Sequence, residues 1–168
     1  MPRSKPKYEL FDRGGKFIRL GSKEDARRLR LWRKIVHIFI FNKTGDLLVS
    51  RRPPNMRRYR SQITSSAGGH AEIGESLLAA ARRELKEELG ISVRLNFLAA
   101  VRFPKGRAMQ YLFAGRSDSP GCPNPREIQA TRFVTLGFLQ KDLRAHPRRY
   151  AKPFALCFAL YRKSAKRA

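Results

Sequence analysis

The sequence predicts an α/β fold: a mixed sheet covered on both faces by helices. Three observations lead there. Short runs rich in β-branched and aromatic residues, above all residues 35–41 (IVHIFIF), alternate with turn signals, as buried strands do. A strongly patterned helical stretch, residues 75–89, falls between them, so strands are expected on both sides of a central helix. Two further helical stretches, 136–145 and 153–163, end the chain. At 168 residues this suits one domain with a sizeable core, expected over 1–168 with short basic tails at about 1–6 and 163–168.

In order, residues 8–12 read as a short strand, and Asp12-Arg13-Gly14-Gly15 as a turn into a second strand over 16–20. Ser22, with Asp25 three places on, starts a helix over 23–31. Its Arg27, Arg28 and Arg30 are expected to form a solvated face. Residues 35–41 form the central strand, with His37 packed inside it, and 42–46 turn into a returning strand over 47–50. Arg51 and Arg52 at its end are either a phosphate clamp or a solubilising pair.

Prolines and polarity make 53–61 a loop, and 63–67 a strand that delivers the chain to Gly68. Residues 93–103 and 109–114 read as strands around a turn at 104–106, followed by a loop over 116–125 and a final strand over 128–134. Phe154, Phe158 and Tyr161 stand at core-like helical spacing, and the tail RKSAKRA is expected to fray. Cys122 and Cys157 make neither a disulfide framework nor a metal quartet.

The chemistry gathers in residues 69–91, GHAEIGESLLAAARRELKEELGI. Gly90 supplies the left-handed residue that ends a helix. Glu84, Glu87 and Glu88 stand at i, i+3 and i+4, which puts three carboxylates side by side on one helical face. Leu78, Leu85 and Leu89 form the core stripe, roughly a third of a turn away at about 100° per residue. Gly68, Gly69 and Gly74 bracket a short loop that lets backbone come close to whatever the carboxylates hold. Crowded oxygen ligands of this kind suit a hard divalent ion such as Mg²⁺.

Charge adds a second theme. The chain holds 37 Lys and Arg against 13 Asp and Glu, a net +24. Residues 61–100 alone are slightly acidic, so the glutamates sit inside a positive surround that would steer anions inward and weaken with salt. A nucleic-acid partner is one reading of that charge, and a generally basic surface is the other. No apolar run approaches the roughly 20 residues of a membrane span, and the basic start lacks the apolar region of a secretory signal; a soluble, cytoplasmic protein is expected.

The stretch resembles the Nudix box: a glycine, five residues, Glu, seven residues, then Arg-Glu-aliphatic-x-Glu-Glu-x-Gly-aliphatic. Gly69, Glu75, Arg83, Glu84, Leu85, Glu87, Glu88, Gly90 and Ile91 fill every fixed place. The resemblance implies an α/β/α Nudix sandwich that hydrolyses the diphosphate of a nucleoside diphosphate derivative or other organic pyrophosphate, with Mg²⁺ as cofactor and Mn²⁺ as the alternative. It further implies that Glu84, Glu87, Glu88 and the backbone carbonyl of Gly68 hold the ions, and that Arg83 orients Glu84. Glu75 is then structural or an outer ligand, and His70 either contacts phosphate or fixes the loop. For the general base the sequence offers Glu127 first, with Asp118 and Asp142 the only other acids past residue 100; Gln110 stands where relatives often carry an acid.

YELFD, FNKTGDLLVSRR, SSAGGHAEIGES and RFVTLGFL also resemble the branch that contains isopentenyl-diphosphate isomerases and hydrolases related to them. Those isomerases place a cysteine where this chain has Gly68, and metal-binding histidines where it has Ala26 and Arg33, so hydrolysis is expected rather than isomerisation. An RNA 5′-end pyrophosphohydrolase and a non-catalytic basic nucleic-acid-binding module are the alternatives.

Overall fold

A computed structural model describes residues 7–165; the expectations for the extreme tails fall outside that range. The element order is β1 (Tyr8–Phe11), β2 (Phe17–Gly21), α1 (Lys23–Arg28), β3 (Arg33–Phe41), β4 (Leu47–Arg51), β5 (Ile63–Thr64) and β6 (Ala67–His70). It continues with α2 (Leu77–Leu89), β7 (Asn96–Phe103), β8 (Ala108–Arg116), β9 (Ala130–Val134), α3 (Leu136–Ala145) and α4 (Lys152–Ala165).

β3 is the axis. It runs parallel to β8 along its whole length, and β7 adds antiparallel to β8. On its other edge β3 pairs antiparallel first with β6, over Ile35–Ile38, and then with β4, at Ile40 and Phe41. β5 and β9 extend the β4 side, so the sheet is mixed as expected. Alternation along β3 sends Val36, Ile38 and Ile40 into a core with Leu85 and Leu89 of α2, and Phe39 and Phe41 into a second core with Leu139 of α3 and Phe154 and Phe158 of α4. Helices thus cover both faces. Full burial of Leu85 and Leu89 is worth roughly 1.5–3 kcal/mol each.

The expected strand over 63–67 is two strands, and the break at Ser65 and Ser66 has a physical cause. Ser66 is fully buried; its hydroxyl donates to Leu48 O at 2.6 Å and accepts from Ile40 N at 2.9 Å. Ser50 Oγ donates to Ser66 O at 2.6 Å. Side-chain hydroxyls therefore replace backbone ladder bonds where the chain crosses from β4 to β3, and the sheet forks there. Past the fork Gly68 and Gly69 lie in β6, not in a loop; the loop is 71–76. The central helix starts at Leu77, two residues later than expected, because Ser76 caps it by accepting from Ala79 N at 3.1 Å, which leaves Glu75 outside. Gly90 closes it with φ of 67°.

Other boundaries moved by up to three residues. α1 stops at Arg28 because Arg30 turns left-handed, with φ of 59°. α4 continues to Ala165, so the residues of the RKSAKRA tail up to 165 are helical rather than frayed. Leu78 is only partly buried; Ala80 and Ala81 take the core positions instead.

α1 is fixed by a capping box. Asp25 N donates to Ser22 Oγ at 3.1 Å, while Ser22 N and Oγ both donate to Asp25 Oδ2 at 2.9 Å. Ser22→Ala should lower stability by about 1 kcal/mol, read by calorimetry. The Ser22 backbone and hydroxyl hydrogen bonds, with help from Arg28, hold the Asp25 carboxyl at about 2. Its folded value lies below the ordinary one, so its contribution is present above about pH 3.8 and fades as pH falls through 2. Amide exchange over α1 should accelerate in that window.

Candidate active site

One side of α2, the start of β3, β6 and three loops enclose a cavity of about 910 Å³. Glu84, Glu88, Gly68, Gly69, His70, Glu127 and Arg52 all line it, so most of the expected residues meet in one place. Glu87 and Arg51 do not. Residues i+3 and i+4 lie on opposite flanks of residue i, about 100° apart, so Glu87 turns outward while Glu88 turns in. Arg51 points away across the strand, and its Nε donates to Ser61 O at 3.1 Å, holding the loop 53–61.

Arg83 organises the acidic side chains. Its Nε and Nη2 grip Glu75 bidentately, both at 2.9 Å. Nη1 donates to Glu84 Oε1 at 2.9 Å and to Glu87 Oε2 at 3.2 Å, and Nη2 also donates to His70 O at 3.0 Å. A guanidinium has five N–H groups, and each here has an acceptor within the chain. Glu75 thus has a structural role, tying the 71–76 loop to the helix, and it also accepts from Glu72 N at 3.0 Å.

The two inward glutamates are under electrostatic stress. Glu88 is only 7 % exposed, and among the described residues the one hydrogen-bond partner of its carboxylate is Gly68 N, at 3.2 Å. Burial, then the charges of Glu84 and Glu127, push its carboxyl well above the ordinary range. Burial likewise raises Glu84, against the pull of Arg83. Glycine at 69 makes room for Glu84, because a Cβ there would overlap its carboxylate and displace the side chain. Glu127 is delivered by the loop after β8, which Cys122 N and Asn124 N pin to the free carbonyls of Leu89 and Glu88 at 2.7 and 2.8 Å.

His70 is half-buried beside Arg33, whose Nη1 lies 2.9 Å from its Nε2. A guanidinium only donates, so Nε2 accepts and the ring is neutral. Burial and then Arg33 push its pKa down to about 3. That makes His70 a fixed wall of the site, its ring tilted 47° against that of Tyr8 with centroids 5.1 Å apart.

The sequence reading missed the mouth. Arg27, Arg28 and Arg30, expected as a solvated face, line the cavity, as do Lys23, Arg58 and Arg107. Nothing in the periodicity of a six-residue helix could show that; only the placement of α1, against β2 and at the edge of the cavity, does. Neither cysteine lines the cavity: Cys122 is exposed beyond the end of α2, and Cys157 is buried under the opposite face of the sheet.

Among the described residues no three His, Cys, Asp or Glu side chains form a ready-made metal cluster. The donor set still fits a hard divalent cation. Two crowded carboxylates face the cavity, Glu88 buried with no ion-pair partner among the described residues and Glu84 half-buried with one oxygen on Arg83, and Mg²⁺ is commonly held by one or two carboxylates, with waters and substrate phosphates completing its shell.

The NUDIX domain model matches residues 31–154. The chain belongs to the Nudix family. With it, the chain belongs to the hydrolases of phosphorus-containing acid anhydrides. An isopentenyl-diphosphate Delta-isomerase of Halorhodospira halophila is 32% identical over 128 residues, covering 70% of this chain and 72% of that one. The Nudix hydrolase lin0387 of Listeria innocua is 40% identical over 62 residues, 37% of each chain. Among solved structures, DR0079 of Deinococcus radiodurans aligns with a TM-score of 0.74 at 24% identity, over 83% of this chain and 90% of that one, which supports the fold. The Nudix sandwich expected from the box is therefore observed. Among the described residues no helix is long and apolar enough to cross a membrane.

Because the folded pKa of Glu88 lies above its ordinary value, the group favours folding only at low pH and loses that contribution as pH rises. At pH 7 in chelator, Glu88→Gln should therefore raise the melting temperature. A gain of about 1 kcal/mol corresponds to about 2–4 °C at this size, read by scanning calorimetry.

Proposed function

We propose that the protein is a divalent-metal-dependent pyrophosphohydrolase of a small organic diphosphate, with Glu84 and Glu88 as its main metal-holding side chains. The observation that carries this is the crowding of Glu84, Glu88 and Glu127 on one cavity wall: Glu88 is buried with a single backbone N–H on its carboxylate, and Glu84 shares Arg83 with Glu75 and Glu87. The carbonyl of Gly68 is a further donor in this reading, and Glu87 joins the set by leaving Arg83. Bound Mg²⁺, or Mn²⁺, supplies charge neutralisation on the phosphates and lowers the pKa of a water.

The chain's own groups do the rest. Arg83 holds Glu84 in position through the 2.9 Å pair. Glu127 lies on the cavity wall within Coulombic reach of Glu84 and Glu88, a suitable place for a base that takes a proton from the attacking water. Arg52, at the mouth, replaces the expected Arg51–Arg52 pair as a phosphate contact. Cations at the mouth draw the anionic substrate inward.

Isomerisation as the relative's name describes is not favoured. A Cβ built on Gly68 would stand 2.7 Å from Val36 O, so β3 leaves no room there for the thiol that the resemblance would require. The relatives described above carry no name that points to a nucleic acid, and the site is a cavity rather than a groove; the +24 charge is the one feature that favours a 5′-pyrophosphate on RNA.

Incubation with Mg²⁺ and a panel of nucleoside diphosphate derivatives, alkyl diphosphates and a 5′-triphosphorylated oligonucleotide should release monophosphate from a small-molecule member of the panel. Glu88→Gln should lower kcat by about 10²-fold or more, the scale of losing one preorganised charge-stabilising group. Full turnover in that variant would remove the site from the glutamates. kcat/KM should also fall steadily as NaCl is raised from 0.05 to 0.5 M, as screening of the mouth requires; those concentrations bracket roughly a 14 to 4 Å Debye length.

A further inference from the structure

The hairpin of β1 and β2 is anchored on one side only. β1 is tied into the body, with Leu10 and Phe11 buried and a bridge from Phe11 to Trp32 just before β3. β2 pairs with β1 along one edge and, among the described residues, with no strand along the other. From Arg13 to Leu20, RGGKFIRL, every residue is exposed. Phe17, Ile18 and Leu20 are 50, 46 and 39 % exposed, and Leu29 at the end of α1 is 38 % exposed. Four of the seven large apolar side chains exposed among the described residues therefore fall between residues 17 and 29. Phe17 pairs with Phe11 and Leu20 with Glu9, and cross-strand partners share a face, so Phe17 and Leu20 project together. Ile18 is the extra residue of a bulge between them.

Cations are interleaved with these side chains. Arg13, Lys16 and Arg19 stand in the same stretch, and Lys23, Arg27 and Arg30 follow, all of them exposed. Most of the nearby acids are already engaged. Glu9 meets Lys34 at 3.5 Å, Asp12 accepts from Lys16 N inside the turn at 2.9 Å, and Asp25 serves the cap and Arg28. Lys23, Arg27 and Arg30 also line the cavity, so the patch runs up to its mouth.

An open strand edge with apolar side chains invites association, and its charge selects the partner. A second copy would set +24 against +24, and a symmetric contact would bring the cations of two hairpins together. Nucleic acid would satisfy the cations but offers no apolar medium to Ile18 and Leu20, which cannot stack on bases as an aromatic ring does. An anionic bilayer satisfies both, with headgroup charge for Lys and Arg and the headgroup–acyl boundary for the apolar side chains.

We infer that the β1–β2 hairpin and the end of α1 form a peripheral docking surface for a bilayer containing anionic lipid, with Phe17, Ile18 and Leu20 entering the headgroup boundary. The chain lies on the membrane and does not cross it, and the cavity mouth is held at the membrane surface. Docking is independent of the chemistry in the cavity, since none of these three side chains lines it.

The test is cosedimentation with vesicles of phosphatidylcholine alone, and of phosphatidylcholine containing phosphatidylglycerol, at physiological ionic strength. The wild type is compared with the triple variant Phe17→Thr, Ile18→Thr, Leu20→Thr, which keeps net charge and strand propensity. Phe97→Thr removes an exposed apolar side chain elsewhere. Leu20→Trp reports insertion through its fluorescence, and thermal melting shows that each variant folds. The wild type should bind only the anionic vesicles, and the triple variant should partition about 10–10²-fold more weakly while still melting cooperatively. Phe97→Thr should bind like the wild type, and Leu20→Trp emission should move to shorter wavelength on binding.

Equal binding by the triple variant would reduce the contact to adsorption of charge and overturn the inference. An equal loss in Phe97→Thr, an unmoved Leu20→Trp emission in sedimented protein, or no binding by the wild type would also overturn it. So would a wild-type dimer that the triple variant dissolves, or an oligonucleotide affinity that the triple variant loses in the same proportion, because either gives the edge another occupant. If the triple variant does not fold, the Leu20→Trp emission decides.

Discussion

Every N–H of Arg83 points at an acceptor of its own chain, and much of the site's shape follows from that saturation. One side chain closes the 71–76 loop through Glu75 and His70 O, fixes one oxygen of Glu84, and draws Glu87 out of the cavity. An arginine so occupied has no donor left for substrate; it acts as a framework for its neighbours. What remains inside is Glu88, with one backbone N–H on its carboxylate, beside a Glu84 that shares Arg83 with Glu75 and Glu87.

That imbalance is built by the sheet. β3 must exchange one partner for another along a single edge, and buried serines at the fork take over the hydrogen bonds that a continuous strand would have made. The fork brings β6 beside the inner end of α2, where Gly68 N reaches Glu88 and Gly69 makes space for Glu84. The close approach of backbone to helix and the crowding of the glutamates are thus one geometric fact. A residue with a Cβ at 68 or 69 would undo both, by striking Val36 O in one case and a carboxylate in the other.

The sequence reading recovered what depends on local chemistry or on strict periodicity. The capping box at Ser22 and Asp25, the closing glycine at 90, the run of β3 and the leucines at 85 and 89 were all legible, because each needs only neighbours in the chain. The strand break at Ser66 was not, since a hydroxyl replaces a ladder bond only when two other strands stand ready to meet it. The outward turn of Glu87 was available from the helical angle alone, but the i, i+3, i+4 spacing invites the eye to treat three residues as one face. Arg27, Arg28 and Arg30 read as solvated because nothing local says where a short helix docks. Gln110 was legible only as a departure from an acid; its isolation in an apolar face is a tertiary fact.

Stability and function pull against each other at four residues that share one cavity. Glu88 is buried without an ion-pair partner among the described residues, Glu84 is crowded against it with only a shared arginine, and Gln110 and His37 keep polar atoms unpaired. A fold selected for stability alone would have filled these positions with apolar residues, as it does along the rest of β3 and β8, where Phe39, Ile40 and Leu112 are fully buried. The concentration of such groups around one space, with +24 of charge elsewhere to attract an anion, is the pattern of a binding site whose missing partners arrive with the ligand. Cation, phosphates and organic half would each complete a different unsatisfied group, so binding of one should favour the next by removing charge or polarity that the others would otherwise face alone.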